Sequence, residues 1–366
     1  MPTATTMTID LPVSGCEPPP VPAAAMRTRR RHRPASLAPG MRIGAWRNER
    51  ELGRGGMATV YAVVHARFGK RAALKLAHRA VLGPQFTSET FLREARMANL
   101  INHPGVAEVF ATGTYDGRPY LAMERLTGRS LGARLEDGPL PREEALEILG
   151  ELCSVLDAAH TAGVTHRDLK LDNVFLLDEP GPGGRRTKLL DWGMARLAGE
   201  DDPLRGLIAG TLTYVAPEQF RSEDITPAAD IYSLAVLAYL LLFGKAPFTA
   251  STDIDLIHCH LRDAPPSPRK LWAAIPAELE ATLIAMLAKQ PGDRPALAEV
   301  ARALRNARNR LRPLTLRWLA PPPVVPPRDV LGRPAVPVLA TRPTRIAGAA
   351  LGLALTVVSV LQLLSA

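Results

Sequence analysis

Hydrophobic and polar positions alternate from Glu51 to Val64 and end in the run Val60-Tyr61-Ala62-Val63-Val64. A period of two is what a strand with one buried face requires. Glycines from Gly53 to Gly56 interrupt the pattern and predict a turn inside it. A second short apolar run, Ala72 to Leu76, carries a single charge, Lys75. Between Phe91 and Ile101 the apolar positions switch to helical spacing, with Phe91, Leu92, Ala95 and Ala98 on one face and His103-Pro104 as the stop. Strand-like segments follow at Val106 to Thr112 and Tyr120 to Glu124. Together these elements predict a small, sheet-rich lobe with one helix.

From Pro141 onward the period lengthens. Arg142 to Ala162 places Ala145, Ile148, Leu149, Leu152, Leu156 and Ala159 on one helical face. Ile231 to Leu242 is almost wholly apolar, yet Asp230 and Gly244 bound it too closely for a membrane span, so a buried helix is expected. The second lobe is therefore larger and helical. No internal repeat is present.

Composition changes the picture at the two ends. Within 366 residues the 34 prolines crowd residues 18–40 and 313–345, marking poorly packed stretches around a compact middle. The organisation expected is a disordered Pro/Arg-rich tail at 1–42, a folded unit at 43–312, a basic Pro-rich linker at 313–345 and a further element at 346–364. The net charge of +9 is not spread over a domain face, because Arg27, Arg29, Arg30, Arg31 and Arg33 cluster in the tail. That pattern favours a solvated arm over a nucleic-acid or anionic-lipid contact. Cys16, Cys153 and Cys259 are odd in number and far apart, so neither a disulfide framework nor a zinc site is encoded, and a reducing compartment is expected. Val13-Ser14-Gly15-Cys16 imitates a lipoprotein cleavage box without the charged start and apolar stretch of a secretory signal.

Residues 346–364 are nineteen positions without a charge. As a helix they would extend about 28 Å, close to the hydrocarbon thickness of a bilayer. A transmembrane anchor is expected, with Arg342 and Arg345 placing everything before it in the cytoplasm. Gly348, Gly352, Thr356 and Ser359 share one face of that helix, a small-residue pattern that suits self-association.

Three groups of residues carry candidate chemistry. Gly53, Gly55 and Gly56 sit where a strand folds back, so that backbone N–H groups could approach phosphate oxygens; an ordinary glycine-rich hairpin has the same pattern. A strand rather than a helix follows them, which disfavours a dinucleotide-binding turn. Lys75, in an apolar strand, needs a countercharge if buried, and Glu94 on the following helix can supply it; a surface lysine is the alternative. Asp168 and Asn173 lie in one turn with His166 and Lys170, and Asp191 follows Leu189-Leu190. Asn173 and Asp191 offer the oxygen donors that Mg²⁺ prefers, leaving Asp168 to orient a hydroxyl and take its proton.

These residues, in this order, resemble the eukaryotic-type protein kinase superfamily, and within it bacterial membrane-anchored Ser/Thr kinases, over roughly residues 46–312. The resemblance implies an α+β bilobal fold, ATP and Mg²⁺ as cofactors, protein substrates and a single-pass tail anchor in the bacterial inner membrane, to which the small-residue spacing adds a homodimer through the Gly348/Gly352 face. It assigns Gly53, Gly55 and Gly56 to a phosphate-covering loop and Lys75 with Glu94 to the strand–helix ion pair. Met123 would be the gatekeeper, Glu124 and Leu126 would meet adenine through backbone groups, and Leu52, Val60, Ala73 and Phe175 would sandwich the ring. His166-Arg167-Asp168 matches the catalytic triplet with Lys170 and Asn173 in register, and Asp191-Trp192-Gly193 matches the magnesium motif. Glu218 of Ala216-Pro217-Glu218 would pair with Arg294, and Asp230 would brace the catalytic loop. Lys170 and Thr211 are similar to the Ser/Thr branch.

Three departures from the family pattern stand out. Ala58 replaces a glycine, Trp192 replaces the usual Phe, and Met194 to Ala209 contains no Ser or Thr. The activating phosphosite is therefore missing, leaving Thr211 and Thr213, and Glu200, Asp201 or Asp202 is expected to give Arg167 its countercharge. The rival to an active enzyme is a pseudokinase scaffold, although Lys75, Asp168 and Asp191 are all present.

Overall fold

The computed structural model describes residues 36–82, 87–200, 211–221 and 224–311. Six antiparallel strands form the first lobe: β1 (Arg42–Ile43), β2 (Trp46–Arg54), β3 (Ala58–His65), β4 (Arg71–Ala77), β5 (Val109–Tyr115) and β6 (Arg118–Met123). They are ordered β1-β2-β3-β4-β6-β5, with helix α1 (Ser88–Ile101) between β4 and β5 in sequence. Alternation sorts the strands' side chains onto two faces. Tyr61, Val63, Ala72, Leu74, Leu76 and Ala122 pack with Ile43 and Trp46 on one face. Ala58, Ala77 and Leu121 pack with Phe91 and Ala95 of α1 on the other. Lys75 has the parity of this second face and lies opposite Val60 and Leu121 in register.

The second lobe holds β7 (Gly128–Ser130), α2 (Leu131–Leu135), α3 (Arg142–Thr161), β8 (Val164–Thr165), β9 (Val174–Leu177), β10 (Thr187–Leu189) and β11 (Arg196–Leu197). After them come α4 (Pro217–Phe220), α5 (Ala228–Phe243), α6 (Asp253–Arg262), α7 (Pro268–Leu271), α8 (Ala277–Met286) and α9 (Leu297–Leu311). The expected stripe of α3 is buried from Ala145 to Ala159, and α5 is buried on nearly every side. Asp230 is fully buried within that apolar helix, so it must be satisfied by specific partners.

Two details differ from the periodicity. β5 begins at Val109, three residues later than the pattern predicts, because the preceding residues are used elsewhere. Val106 bridges Leu189 in parallel, and the Leu189 N–H donates to the Gly105 carbonyl at 2.7 Å, tying the loop after α1 to the strand that precedes Asp191. Residues 36–41, read from sequence as tail, are tied to β2 by the Asn48 amide, which donates to the Leu37 and Ala38 carbonyls.

Among the described residues no helix is long and apolar enough to cross a membrane. The expected anchor at 346–364, with Gly348 and Gly352, lies outside the described residues, as do the tail arginines and Asp201 and Asp202.

Candidate active site

The β4 strand delivers Lys75 to the cleft face, where its ammonium meets Glu94 Oε2 of α1 at 2.6 Å and Asp191 Oδ1 at 3.0 Å. Residues 19 and 116 positions away in sequence thus converge on one cation. Burial opposes the charge on Lys75, but Glu94 and Asp191 outweigh it and hold its pKa above the ordinary value. Burial also works against the Asp191 carboxylate, yet Lys75, His166 and Lys170 hold it below the ordinary range. Glu94 is held above the ordinary carboxylate range by its own burial, against the pull of the Lys75 ammonium 2.6 Å away.

Asp191 has a left-handed backbone, φ 63° and ψ 72°, a conformation that non-glycine residues rarely adopt. The turn sends Trp192 into the core, edge-on to His166 at 4.5 Å, with its indole N–H donating to the Leu189 carbonyl. A phenylalanine there could pack but not donate, so Trp192 adds a hydrogen-bonded anchor directly after Asp191.

The catalytic loop is held from below by Asp230. One oxygen accepts the His166 N–H at 2.8 Å and the His160 ring, and the other accepts the Arg167 N–H at 2.9 Å. These bonds sustain Arg167 at φ 69°, a second strained residue at the same site. Asp168 receives Lys170 Nζ on Oδ2 at 2.6 Å and the Asn173 amide nitrogen on the same oxygen at 3.1 Å. Asn173 also donates to the Asp168 carbonyl at 2.7 Å, which leaves its amide oxygen directed elsewhere. Gln219 of α4 donates to the Arg167 carbonyl, and Arg294 holds Glu218 bidentately.

Around this centre, Ala73 and Met123 face one another across β4 and β6, and Val60 faces Lys75 across β3 and β4. Leu52 is exposed, while Val60, Met123, Leu126 and Phe175 are half-buried. Gly53, Gly55 and Gly56 lie at the β2–β3 turn without positive φ, so the turn itself does not demand glycine. A Cβ at Gly53 or Gly56 would meet open space, which leaves room for a ligand to approach the backbone. The Glu124 N–H already donates to the Glu108 carbonyl at 2.8 Å, so its carbonyl is the group left for a purine.

Asn173 and Asp191 supply oxygen donors suited to Mg²⁺. Among the described residues no group of three or more His, Cys, Asp and Glu side chains is placed to hold a metal. A cation here would rely on ligand phosphates for its remaining coordination.

Two interactions were not anticipated from sequence. Lys188 of β10 is buried, donating to the Glu124 carboxylate and, at 3.3 Å, to the Val106 carbonyl. The available signal was the one that picked out Lys75, a lysine in a short apolar strand. Of Glu200, Asp201 and Asp202, the three candidates for Arg167, Glu200 meets Arg96 at 2.7 Å and Arg93 at 3.4 Å on α1, and the other two lie outside the described residues. The turn at Gly199, φ 81°, and the pairing of β11 with β8 carry Glu200 to α1.

Residues 46–304 match the family described as protein kinase domain. The chain is 39% identical over 270 residues to the serine/threonine-protein kinase Pkn1 of Myxococcus xanthus, covering 73% of this chain and 38% of the relative. It is 33% identical over 258 residues to the serine/threonine-protein kinase PknJ of Mycobacterium tuberculosis, covering 70% of this chain and 44% of the relative. It thus spans less than half the length of these curated relatives. The solved Mycobacterium tuberculosis PknI kinase domain is 30% identical with a TM-score of 0.58, covering 74% of this chain and 100% of that one.

Proposed function

The chain belongs to the protein kinase family, and from that premise we propose that it is a Ser/Thr protein kinase that transfers the γ-phosphate of ATP to protein hydroxyls. The observation that carries this reading is the assembled Lys75–Glu94–Asp191 contact beside Asp168. Family membership implies use of ATP and a divalent metal in general terms. Here Lys75 would hold the phosphates, the Glu124 carbonyl and Leu126 backbone would meet adenine, and Leu52, Val60, Ala73, Met123 and Phe175 would enclose the ring. Asn173 and Asp191 would hold Mg²⁺, which when bound neutralises phosphate charge.

Asp168 Oδ1 would accept the proton of the attacking hydroxyl as its oxygen bonds to the γ-phosphorus and the bond to the β–γ bridging oxygen breaks, releasing ADP. Lys170, already on Oδ2, would steady the charge near the transferred group. The Ser/Thr preference is supported by Lys170 and by the likeness to bacterial serine/threonine-protein kinases. Attachment to the bacterial inner membrane by residues 346–364, with the kinase domain in the cytoplasm, is supported by that uncharged run and its flanking arginines.

The test is transfer of label from γ-³²P ATP to a generic protein substrate, wild type alongside Asp168→Asn. Labelling should fall by about 10²-fold or more in the variant. Equal labelling by the two proteins would remove the reading.

A further inference from the structure

Glu200 sits at the start of the segment that in many kinases is switched on by phosphorylation, but nothing from Met194 to Ala209 can carry a phosphate on Ser or Thr. Its carboxylate instead lies between two arginines of α1, Oε1 at 2.7 Å from Arg96 and Oε2 at 3.4 Å from Arg93, the second an ion pair without a hydrogen bond. Arg93 and Arg96 are three residues apart, so they share a helix face, and one carboxylate can fix both. Arg93 adjoins Glu94, the residue that holds Lys75. A closed path therefore runs from β8 beside the catalytic loop, through β11 and the Gly199 turn, to Glu200, α1, Glu94, Lys75 and Asp191. The Ala198 N–H donates to the Gly163 carbonyl at 2.9 Å and pins the segment just before the turn.

Resting on the kinase reading, we propose that Glu200 is a positioning residue: it holds α1 in its ion-paired position through Arg93 and Arg96, so that the catalytic arrangement forms without phosphorylation of residues 194–209. The charge logic is that of a phosphate among arginines, with a permanent carboxylate replacing the reversible group. An α1 that swings away carries Glu94 off Lys75, and turnover then scales with the fraction of molecules in which α1 is in place. Arg93 is largely shielded from solvent, so this contact is screened less than a wholly exposed one.

The test uses the full chain, phosphatase-treated, with wild type, Glu200→Gln, Glu200→Asp, Arg96→Glu and the swap Glu200→Arg with Arg96→Glu. Wild type should keep its turnover after phosphatase. Glu200→Gln should lose about fivefold to tenfold in kcat, with the KM for ATP changing less. Glu200→Asp should recover part of that loss, and the swap should exceed Arg96→Glu alone. Hydrogen exchange across 88–101 should be faster in Glu200→Gln than in wild type, a readout that does not depend on turnover. Unchanged α1 exchange, or unchanged kcat in an active enzyme, would overturn the proposal. If even the wild type showed no labelling sensitive to Asp168→Asn, the kinase reading would fall while the exchange measurement still decided what holds α1.

Discussion

Arg294 grips Glu218 with both arms of its guanidinium, Nη1 to Oε1 at 2.6 Å and Nη2 to Oε2 at 2.7 Å, and neither side chain is open to solvent. Arg294 also donates to the Ala288 and Ala228 carbonyls, joining α4, the start of α5 and the turn before α9. Removing one partner strands a buried charge. Arg294→Ala should cost about 3–5 kcal/mol. Adding Glu218→Gln to Arg294→Ala should recover a measurable part of that loss in urea unfolding, and a double variant no better than the single would contradict the pairing argument.

The same accounting applies to Lys75, with a different readout. Lys75→Met leaves Glu94 buried without its cation, so both stability and labelling should fall, the latter by about 10²-fold. Adding Glu94→Gln should restore thermal stability toward wild type and leave labelling low. Recovery of labelling in that double variant would mean that Lys75 does not hold phosphate.

Asp230 predicts an acid-side dependence. Burial opposes its charge, but the hydrogen bond to His160, the nearby His166 and the Arg167 N–H hold its carboxyl below the ordinary 3.8. The folded form therefore binds fewer protons than the unfolded one. Its contribution is present above the ordinary value and is lost as pH falls through the lower folded value. The stability gap between wild type and Asp230→Asn, measured by urea unfolding from pH 7 to pH 3, should narrow toward the acid end. A gap that widened instead would contradict this sign.

Lys188 links β10 to Glu124, on whose carbonyl the purine is expected. Lys188→Met should raise the KM for ATP by about tenfold, equivalent to about 1.4 kcal/mol, with a smaller change in kcat. Steady-state kinetics at varied ATP check this, and an effect confined to kcat would place Lys188 on the Asp191 side instead.

For the proposed anchor, removing residues 346–364 should move the protein from the membrane fraction to the carbonate-extracted supernatant. Gly348→Ile with Gly352→Ile should weaken self-association in a membrane reporter and leave insertion unchanged. Retention of the shortened chain in membranes would assign attachment to another segment.

What the sequence determined by itself was the local content of the two lobes and the identity of the central residues. The short apolar run of β3, the apolar stripe of α3 and the almost fully apolar α5 mark elements that must bury one face or all of their surface. Lys75, Asp168, Asn173 and Asp191 were legible because charged and amide groups among apolar neighbours demand partners, and their order along the chain resembles a known pattern. Which partner each group takes was a matter of tertiary structure. Glu200 could have served Arg167 as far as sequence shows, but the left-handed turn at Gly199 and the β8–β11 pairing carry it to Arg93 and Arg96. Lys188 finds Glu124 across 64 positions, and Val106 leaves the expected strand to bridge Leu189. Such contacts depend on where strands of opposite lobes meet, and no local period encodes that distance.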